Sequence, residues 1–336
     1  MGQTQQGQLA QLQELLYPRW MYQENLAYQD TAKLKEVLVA ENKSWGYNRF
    51  FVNNFLKILK EEGVKTTLLS DARKDVEGGK CIPYEGNFGV NTMYVRDIGF
   101  IVRRHFFISS LPDDLYGELR INVYKYAKNG LSDISEISES DIDGGGIISN
   151  KDSIVLSQPS KLIDELEEET GKRVLVFSNL PYNHLDTIMN FIDDGNFLVS
   201  YAGARKACEI AFYPFDLDSL YNLKNLLDVN FFYFQREENW WYNTIKSAMG
   251  NFLNLYNGKI ISPTWMDISK KDGKLYGFRN RELKAPSGIR DAEKELENII
   301  KDVGADVIFV NAGPILLGWG EKGAGLRCST FPLLRV

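Results

Sequence analysis

Four separated stretches carry residue types that bond-breaking chemistry uses. Asn91-Thr-Met-Tyr-Val-Arg-Asp97-Ile-Gly99 sets an acid in a short apolar strand, and Asp143-Gly-Gly-Gly sets another ahead of a glycine run. His184-Leu-Asp186-Thr holds a histidine and an acid two residues apart, on one face if the segment is extended. Gly323-Ala-Gly-Leu-Arg327-Cys328-Ser-Thr delivers a cysteine after a flexible, glycine-rich turn. A thiolate attacks, an imidazole moves protons, and carboxylates hold a cation or orient a ring. Each stretch alone has a plain structural reading: a core cysteine, a hydrogen-bonding histidine, an acid paired with Arg96, a glycine bulge. The Gly144–Gly146 run is not a phosphate loop, because it fits neither GxGxxG nor GxxxxGK[ST].

Composition narrows the options. The 336 residues include only two histidines, His105 and His184, so a site built on several histidines is excluded. A Ser-His-Asp arrangement would have to use one of them. The three cysteines, Cys81, Cys208 and Cys328, are far apart and odd in number, which predicts a reduced, cytoplasmic protein rather than a disulfide scaffold. The net charge of −6 and pI near 5.3 argue against a nucleic-acid or anionic-membrane partner, either of which needs a basic face. No run of apolar residues is long enough for a membrane span. The N-terminal Met-Gly-Gln-Thr-Gln-Gln-Gly-Gln lacks the features of a signal peptide.

Something must bring the four stretches together, and the sequence shows a recurring unit. A strand, a tight turn and a second strand ending in Ser occur at 98–109, 146–157, 188–200 and 251–262. Asp194-Gly195 and Asn257-Gly258 are strong hairpin turns. Helical runs and a further strand follow: Phe51 to Glu62 then Lys65 to Leu69, Leu162 to Thr170 (with Ser160 as N-cap) then Arg173 to Phe177, and Ala292 to Asp302 then Ala305 to Val310. The unit is therefore ββαβ. A fifth copy can be assembled from both ends, with Arg327 to Arg335 beside Lys35 to Val39, which would close a ring. Residues 131–143 and 267–290 interrupt the pattern and read as loops over one rim.

Taken together the motifs resemble a family. The order N-x-x-aromatic-x-R-D, acid-Gly-Gly, H-L-D-T, then G-x-R-C near the C-terminus is similar to arginine deiminases of the guanidine-modifying superfamily. The likeness extends over about residues 30–336 and includes Arg236-Glu-Glu and the Cys-Ser-Thr-Phe-Pro-Leu tail. It implies an α/β fold, a five-bladed pseudo-symmetric propeller (pentein) of ββαβ units. Residues 1–25 would be a partly flexible lead-in and 26–336 one catalytic domain. It also implies roles: Cys328 as nucleophile, His184 as general acid/base, and Asp97 and Asp186 as holders of the guanidinium. Asp143, where the family carries Glu, would support His184 or the substrate. Asn91 would hold the amino-acid end of the substrate, and Arg327 would contact it too.

The implied activity is hydrolysis of a C–N bond in a small guanidinium compound, arginine or a close derivative, with no metal and no organic cofactor. Continuation to ornithine and transfer of the amidino group to an amine are variants of the same chemistry. Homo-oligomerisation is left open. The remaining residues read plainly: His105 as exposed or structural, Cys81 and Cys208 as core or surface thiols, Trp240-Trp241 and Phe231 to Phe234 as packing, and 270–285 as a solvated loop.

Overall fold

Short apolar runs ending at tight turns pair into antiparallel hairpins, and each hairpin gains a parallel third strand across a helix. In chain order the first unit is β1 (Leu34–Glu41), α1 (Gly46–Glu61), β2 (Lys65–Ser70) and β3 (Gly79–Pro83). The second is β4 (Gly99–Val102), β5 (His105–Ser109), α2 (Asp113–Gly130) and β6 (Glu136–Ser140). The third is β7 (Ile147–Ser149), β8 (Ser153–Leu156), α3 (Ile163–Thr170) and β9 (Arg173–Val176). The fourth is β10 (Met189–Asp193), β11 (Asn196–Val199), α4 (Leu217–Leu227) and β12 (Asn230–Tyr233). The fifth follows α5 (Trp240–Gly250), with β13 (Leu253–Tyr256), β14 (Lys259–Thr264), α6 (Ile289–Asp302) and β17 (Asp306–Asn311). A two-residue pair, β15 (Leu275–Tyr276) with β16 (Glu282–Leu283), lies within it. β18 (Thr330–Arg335) ends the chain. This computed structural model describes residues 25–41, 46–70, 75–83, 94–110, 113–131, 134–177, 184–200, 217–234, 240–256, 258–264, 275–276, 282–283, 288–312 and 325–336.

Four hairpins pair antiparallel, β4 with β5, β7 with β8, β10 with β11 and β13 with β14. Their second strands pair parallel with β6, β9, β12 and β17. The first unit obtains its missing hairpin partner from the other end of the chain. β18 lies antiparallel to β1, with Val39 opposite Thr330 and Val37 opposite Pro332, and β1 then pairs parallel with β2. The two ends thus build one blade, as the sequence predicts. β3, a further parallel strand outside β2, was not foreseen.

Burial shows that the blades form a ring. One apolar cluster joins Leu38 and Phe331 to Ile101, Phe106 and α2; the next joins Phe100 and Phe107 to Ile147, Ile154 and Leu166. Ile148 and Val155 then meet Phe191 and Phe197, and Ile192 and Leu198 meet Ile260 and α6. The last cluster returns from Leu253 and Ile261 to Val37, Val39 and Phe55. Each helix fills the wedge between neighbouring blades. In α6 the buried Ile289, Ala292, Leu296 and Ile300 recur every three or four residues, as an amphipathic helix requires.

Several expectations need correction. Residues 136–140 lie in a strand, not a loop: β6 is an outer strand bonded to β5 on one side, and that position suits its Glu and Ser side chains. Asp97 lies in a 3-10 turn (Val95–Ile98) and Asp186 in another (Leu185–Thr187), so neither is in extended chain. Ser160 sits ahead of the cap position of α3, where its Oγ accepts from Leu162 N–H at 3.0 Å. His105 and Phe234 are buried, consistent with structural roles, and Cys81 is half-buried on β3. Asn91, Cys208, the 1–24 lead-in and most of 267–287 lie outside the described residues. No helix among the described residues is long and apolar enough to cross a membrane.

Candidate active site

The site is made of the turns that lead into the first strand of each blade. Asp97 precedes β4, Asp143 precedes β7, Asp186 precedes β10, Asn251 precedes β13 and Cys328 precedes β18. These turns are hydrogen-bonded to one another around the ring. Arg96 N–H donates to Cys328 O (3.2 Å), and Arg96 Nε donates to Gly144 O (2.9 Å). Asp186 N–H donates to Gly145 O (3.2 Å), Asn251 Nδ2 donates to Asp186 O (2.7 Å), and Arg327 N–H donates to Asn251 O (3.1 Å). Pseudo-fivefold repetition therefore carries four of the predicted residues to one point, and His184 reaches it from the residue before the Leu185–Thr187 turn.

Cys328 is buried, with Sγ 3.5 and 3.6 Å from the two oxygens of Asp186. Asn251 Nδ2 donates to the sulfur at 3.2 Å, and Asn251 Oδ1 accepts from the N–H groups of Cys328 and Gly325, both at 3.1 Å. Asn251 thus fixes the turn that carries Cys328. Sequence reasoning noted the hairpin that Asn251 opens but missed the residue. Its equivalence in the repeat to Asp97 and Asp186 was the signal available.

His184 is partly open, with 28% of its side chain exposed, whereas Asp97 and Asp143 are buried. Its Nε2 lies 3.2 Å from Asp143 Oδ2, and its Nδ1 is 3.8 Å from Asp97 Oδ1 and 4.0 Å from Asp186 Oδ1. Asp143 is itself held by Gly146 N–H, which donates to Oδ1 at 2.7 Å. A Cβ on Gly145 would fall 2.5 Å from His184 Nδ1, so the glycine is what lets the ring lie against this turn. Of the two roles open to Asp143, the geometry favours support of His184.

Burial of His184 opposes its positive charge, but the carboxylates of Asp143 and Asp97 outweigh it and raise its pKa well above the ordinary imidazole value. Burial pushes the Cys328 thiol up, Asp186 adds to the shift, and a hydrogen bond with His184 only partly offsets them, leaving it at about 12. Both shifts favour the protonated form of each group.

Arg327 is brought to the cluster but faces away from a ligand-contact role. Its Nε and Nη2 donate to Asp30 at 3.3 and 3.0 Å, Nη1 donates to Asp186 Oδ2 (2.8 Å) and Gly144 O (3.3 Å), and Nη2 also donates to Ile147 O. The five guanidinium N–H groups all meet protein acceptors, so the expected contact with substrate is corrected to an internal one. Asp186 consequently has one oxygen engaged by Arg327 and the other directed toward Cys328 and His184. Donor atoms of His184, Asp186 and Cys328 lie within 4.8 Å of one another, a set that could also hold a thiophilic metal ion.

Five ββαβ blades around a cysteine–histidine–carboxylate centre define the pentein class of fold. Neither a family model nor a curated protein matches the sequence, but solved structures match over nearly the whole chain. An agmatine deiminase from C. jejuni, with substrate bound, superposes with a TM-score of 0.55 at 12% identity, over 93% of this chain and 97% of that one. An amidinotransferase of the saxitoxin biosynthetic pathway from Microseira wollei gives 0.53 at 14% identity, over 93% and 97%. DDAH (a dimethylarginine dimethylaminohydrolase) from Pseudomonas aeruginosa, complexed with citrulline, gives 0.53 at 14% identity, over 90% and 100%. All three are penteins, and this chain shares their fold.

Proposed function

We propose that the protein hydrolyses a C–N bond of a small guanidinium compound, arginine or a close derivative, in the manner of an arginine deiminase. One observation carries this reading: Cys328 Sγ, the His184 imidazole and oxygens of Asp97, Asp143 and Asp186 meet at one point of the ring. Such a centre suits a planar cation. Asp97 and the ligand-facing oxygen of Asp186 orient the guanidinium by charge-assisted hydrogen bonds and hold its carbon over the sulfur.

The bound cation also supplies the charge that favours the thiolate, so the Cys328 proton leaves to solvent as substrate settles. Sulfur then bonds to the guanidinium carbon. The tetrahedral adduct collapses as His184 gives its proton to the departing amine, leaving an amidino-thioether on Cys328. The neutral imidazole takes a proton from water, hydroxide adds to the same carbon, and the C–S bond breaks to release a ureido product. Asp143 keeps His184 basic enough for both halves of the cycle.

The test is a panel of arginine, agmatine, methylated arginines and peptidyl-arginine assayed for ammonia or amine and for ureido product, beside Cys328→Ala. Turnover that survives the substitution overturns the reading. Mass spectrometry during turnover should find an adduct on Cys328 and none on Cys81 or Cys208. An amidinotransferase would use the same residues, with an amine in place of water, and is distinguished by an absolute need for that acceptor.

A further inference from the structure

His105 opens β5 at the end of the β4–β5 hairpin remote from the inner turns, and its ring is buried. The ring stacks on Phe107 with centroids 3.9 Å apart, and Nε2 lies 2.8 Å from Ser138 Oγ on β6. The other nitrogen, Nδ1, faces α3 of the next blade, with Glu169 Oε1 at 3.3 Å and Glu165 Oε1 at 3.4 Å. Glu165 and Glu169 stand four residues apart on one helix face, so their charges repel. A single Nδ1–H can satisfy one of them. Both separations also exceed the roughly 2.7–2.9 Å of a charge-assisted N–H···O bond. Although the Glu169 contact is within hydrogen-bonding reach, both separations also suit two ligands of one ion, since metal bonds of about 2.0–2.1 Å to N and O place ligand atoms about 3.3–3.4 Å apart. The three ligand atoms all lie within 4.8 Å of one another.

We propose that His105 Nδ1, Glu165 and Glu169 form a site for a divalent cation of the zinc type, with water completing its coordination. In this arrangement Nε2–H donates to Ser138 Oγ, the outer hydrogen bond that fixes which imidazole nitrogen serves as ligand. A mixed nitrogen and oxygen set favours zinc-like ions over calcium or magnesium, which prefer oxygen alone. The ion would tie β5 of one blade to α3 of the next. Because only the folded chain assembles the set, binding raises the unfolding temperature.

The experiment uses chelator-treated Cys328→Ser protein, which removes the sulfur donor of the His184–Asp186–Cys328 cluster. Titration with zinc chloride by calorimetry should show one equivalent bound and a higher unfolding temperature, and cobalt(II) should bind without a thiolate charge-transfer band. Adding Glu165→Gln and Glu169→Gln should weaken zinc binding at least tenfold. Absence of binding, or equal binding by this variant, overturns the proposal and leaves His105 as a structural residue hydrogen-bonded to Glu169 and Ser138. Should the variant fail to fold, Glu165→Gln alone, at a side chain 43% exposed, gives the same reading.

Discussion

Asp30 accepts a bidentate pair from one edge of the Arg327 guanidinium, Nε to Oδ1 at 3.3 Å and Nη2 to Oδ2 at 3.0 Å, and Arg327 in turn donates to Asp186 at 2.8 Å. All three are buried, and Arg96 adds a contact to Asp30 at 3.5 Å. The acid at the end of this relay lies outside every sequence motif, in the segment ahead of β1. Burial alone would raise the Asp30 pKa, but Arg327, Arg96 and Arg335 hold it below the ordinary carboxylate value. Its contribution to stability is thus present above that ordinary value and lost as pH falls through the depressed one. Asp30→Asn leaves buried guanidinium charge uncompensated and should cost about 3–5 kcal/mol in urea unfolding at neutral pH. An unchanged midpoint would show that the arginines find other acceptors.

The thiol of Cys328, pushed up to about 12 by burial and by Asp186, should resist alkylation in the ligand-free protein. Iodoacetamide labelling followed by peptide mass spectrometry should show slow modification at pH 7 that rises only well above the ordinary thiol range. A bound guanidinium that does not react should accelerate labelling at neutral pH, provided the sulfur stays accessible, because its charge favours the thiolate. Fast labelling at pH 7 without ligand would mean the resting sulfur is already ionised. The linked stability effect has the same sign: a raised pKa means stability is lost as pH climbs above the unfolded thiol value.

His184 packs against Gly145, where any side chain would collide with the ring: a Cβ would lie 2.5 Å from Nδ1, 3.0 Å from Cε1 and 3.1 Å from Cγ. Gly145→Ala should move the imidazole off Asp143 and lower kcat by on the order of 100-fold, the cost of misplacing a catalytic group by about an ångström. Gly195→Ala is the control, because its Cβ would meet only Asp193 Oδ1, at 3.7 Å. Equal rates for both variants would remove the positioning role given to that glycine.

Much of this was legible in the sequence for a physical reason. Strand–turn–strand patterns such as Met189–Asp193 with Asn196–Val199 are local, and Asp194-Gly195 marks its own turn. The ring closure was legible too, since a fifth copy of the unit could be assembled only in part from either end, Arg327 to Arg335 beside Lys35 to Val39, and β18 does pair with β1. What stayed hidden depends on contacts distant in sequence. Asp30 is 297 residues from Arg327, and Asn251 is 77 from Cys328. The Arg327 side chain looked available for a ligand because nothing near it in sequence reveals the two acids that enclose it. The 3-10 turn at Asp97 reads as strand from sequence, and that at Asp186 leaves the question open, because three or four apolar-flanked residues fit either conformation.

Asp143 sits 3.2 Å from His184 Nε2 and, with Asp97, keeps the imidazole charged well above its ordinary pKa despite burial. Removing the Asp143 charge takes away the larger of these two attractions, so in Asp143→Asn the His184 pKa must fall. On the proposed mechanism the first step needs His184 protonated to release the amine, so activity should disappear on the alkaline side as that proton is lost. The alkaline limb of kcat against pH should therefore move to lower pH in Asp143→Asn. Stability should respond in the same direction: the contribution of a raised histidine pKa is complete below the unfolded value and lost as pH rises through the folded one. In the variant that loss should finish at lower pH, visible as an earlier decline of unfolding temperature with pH. A profile that merely drops in height, with both limbs unmoved, would assign Asp143 a structural part and leave the charge of His184 to Asp97.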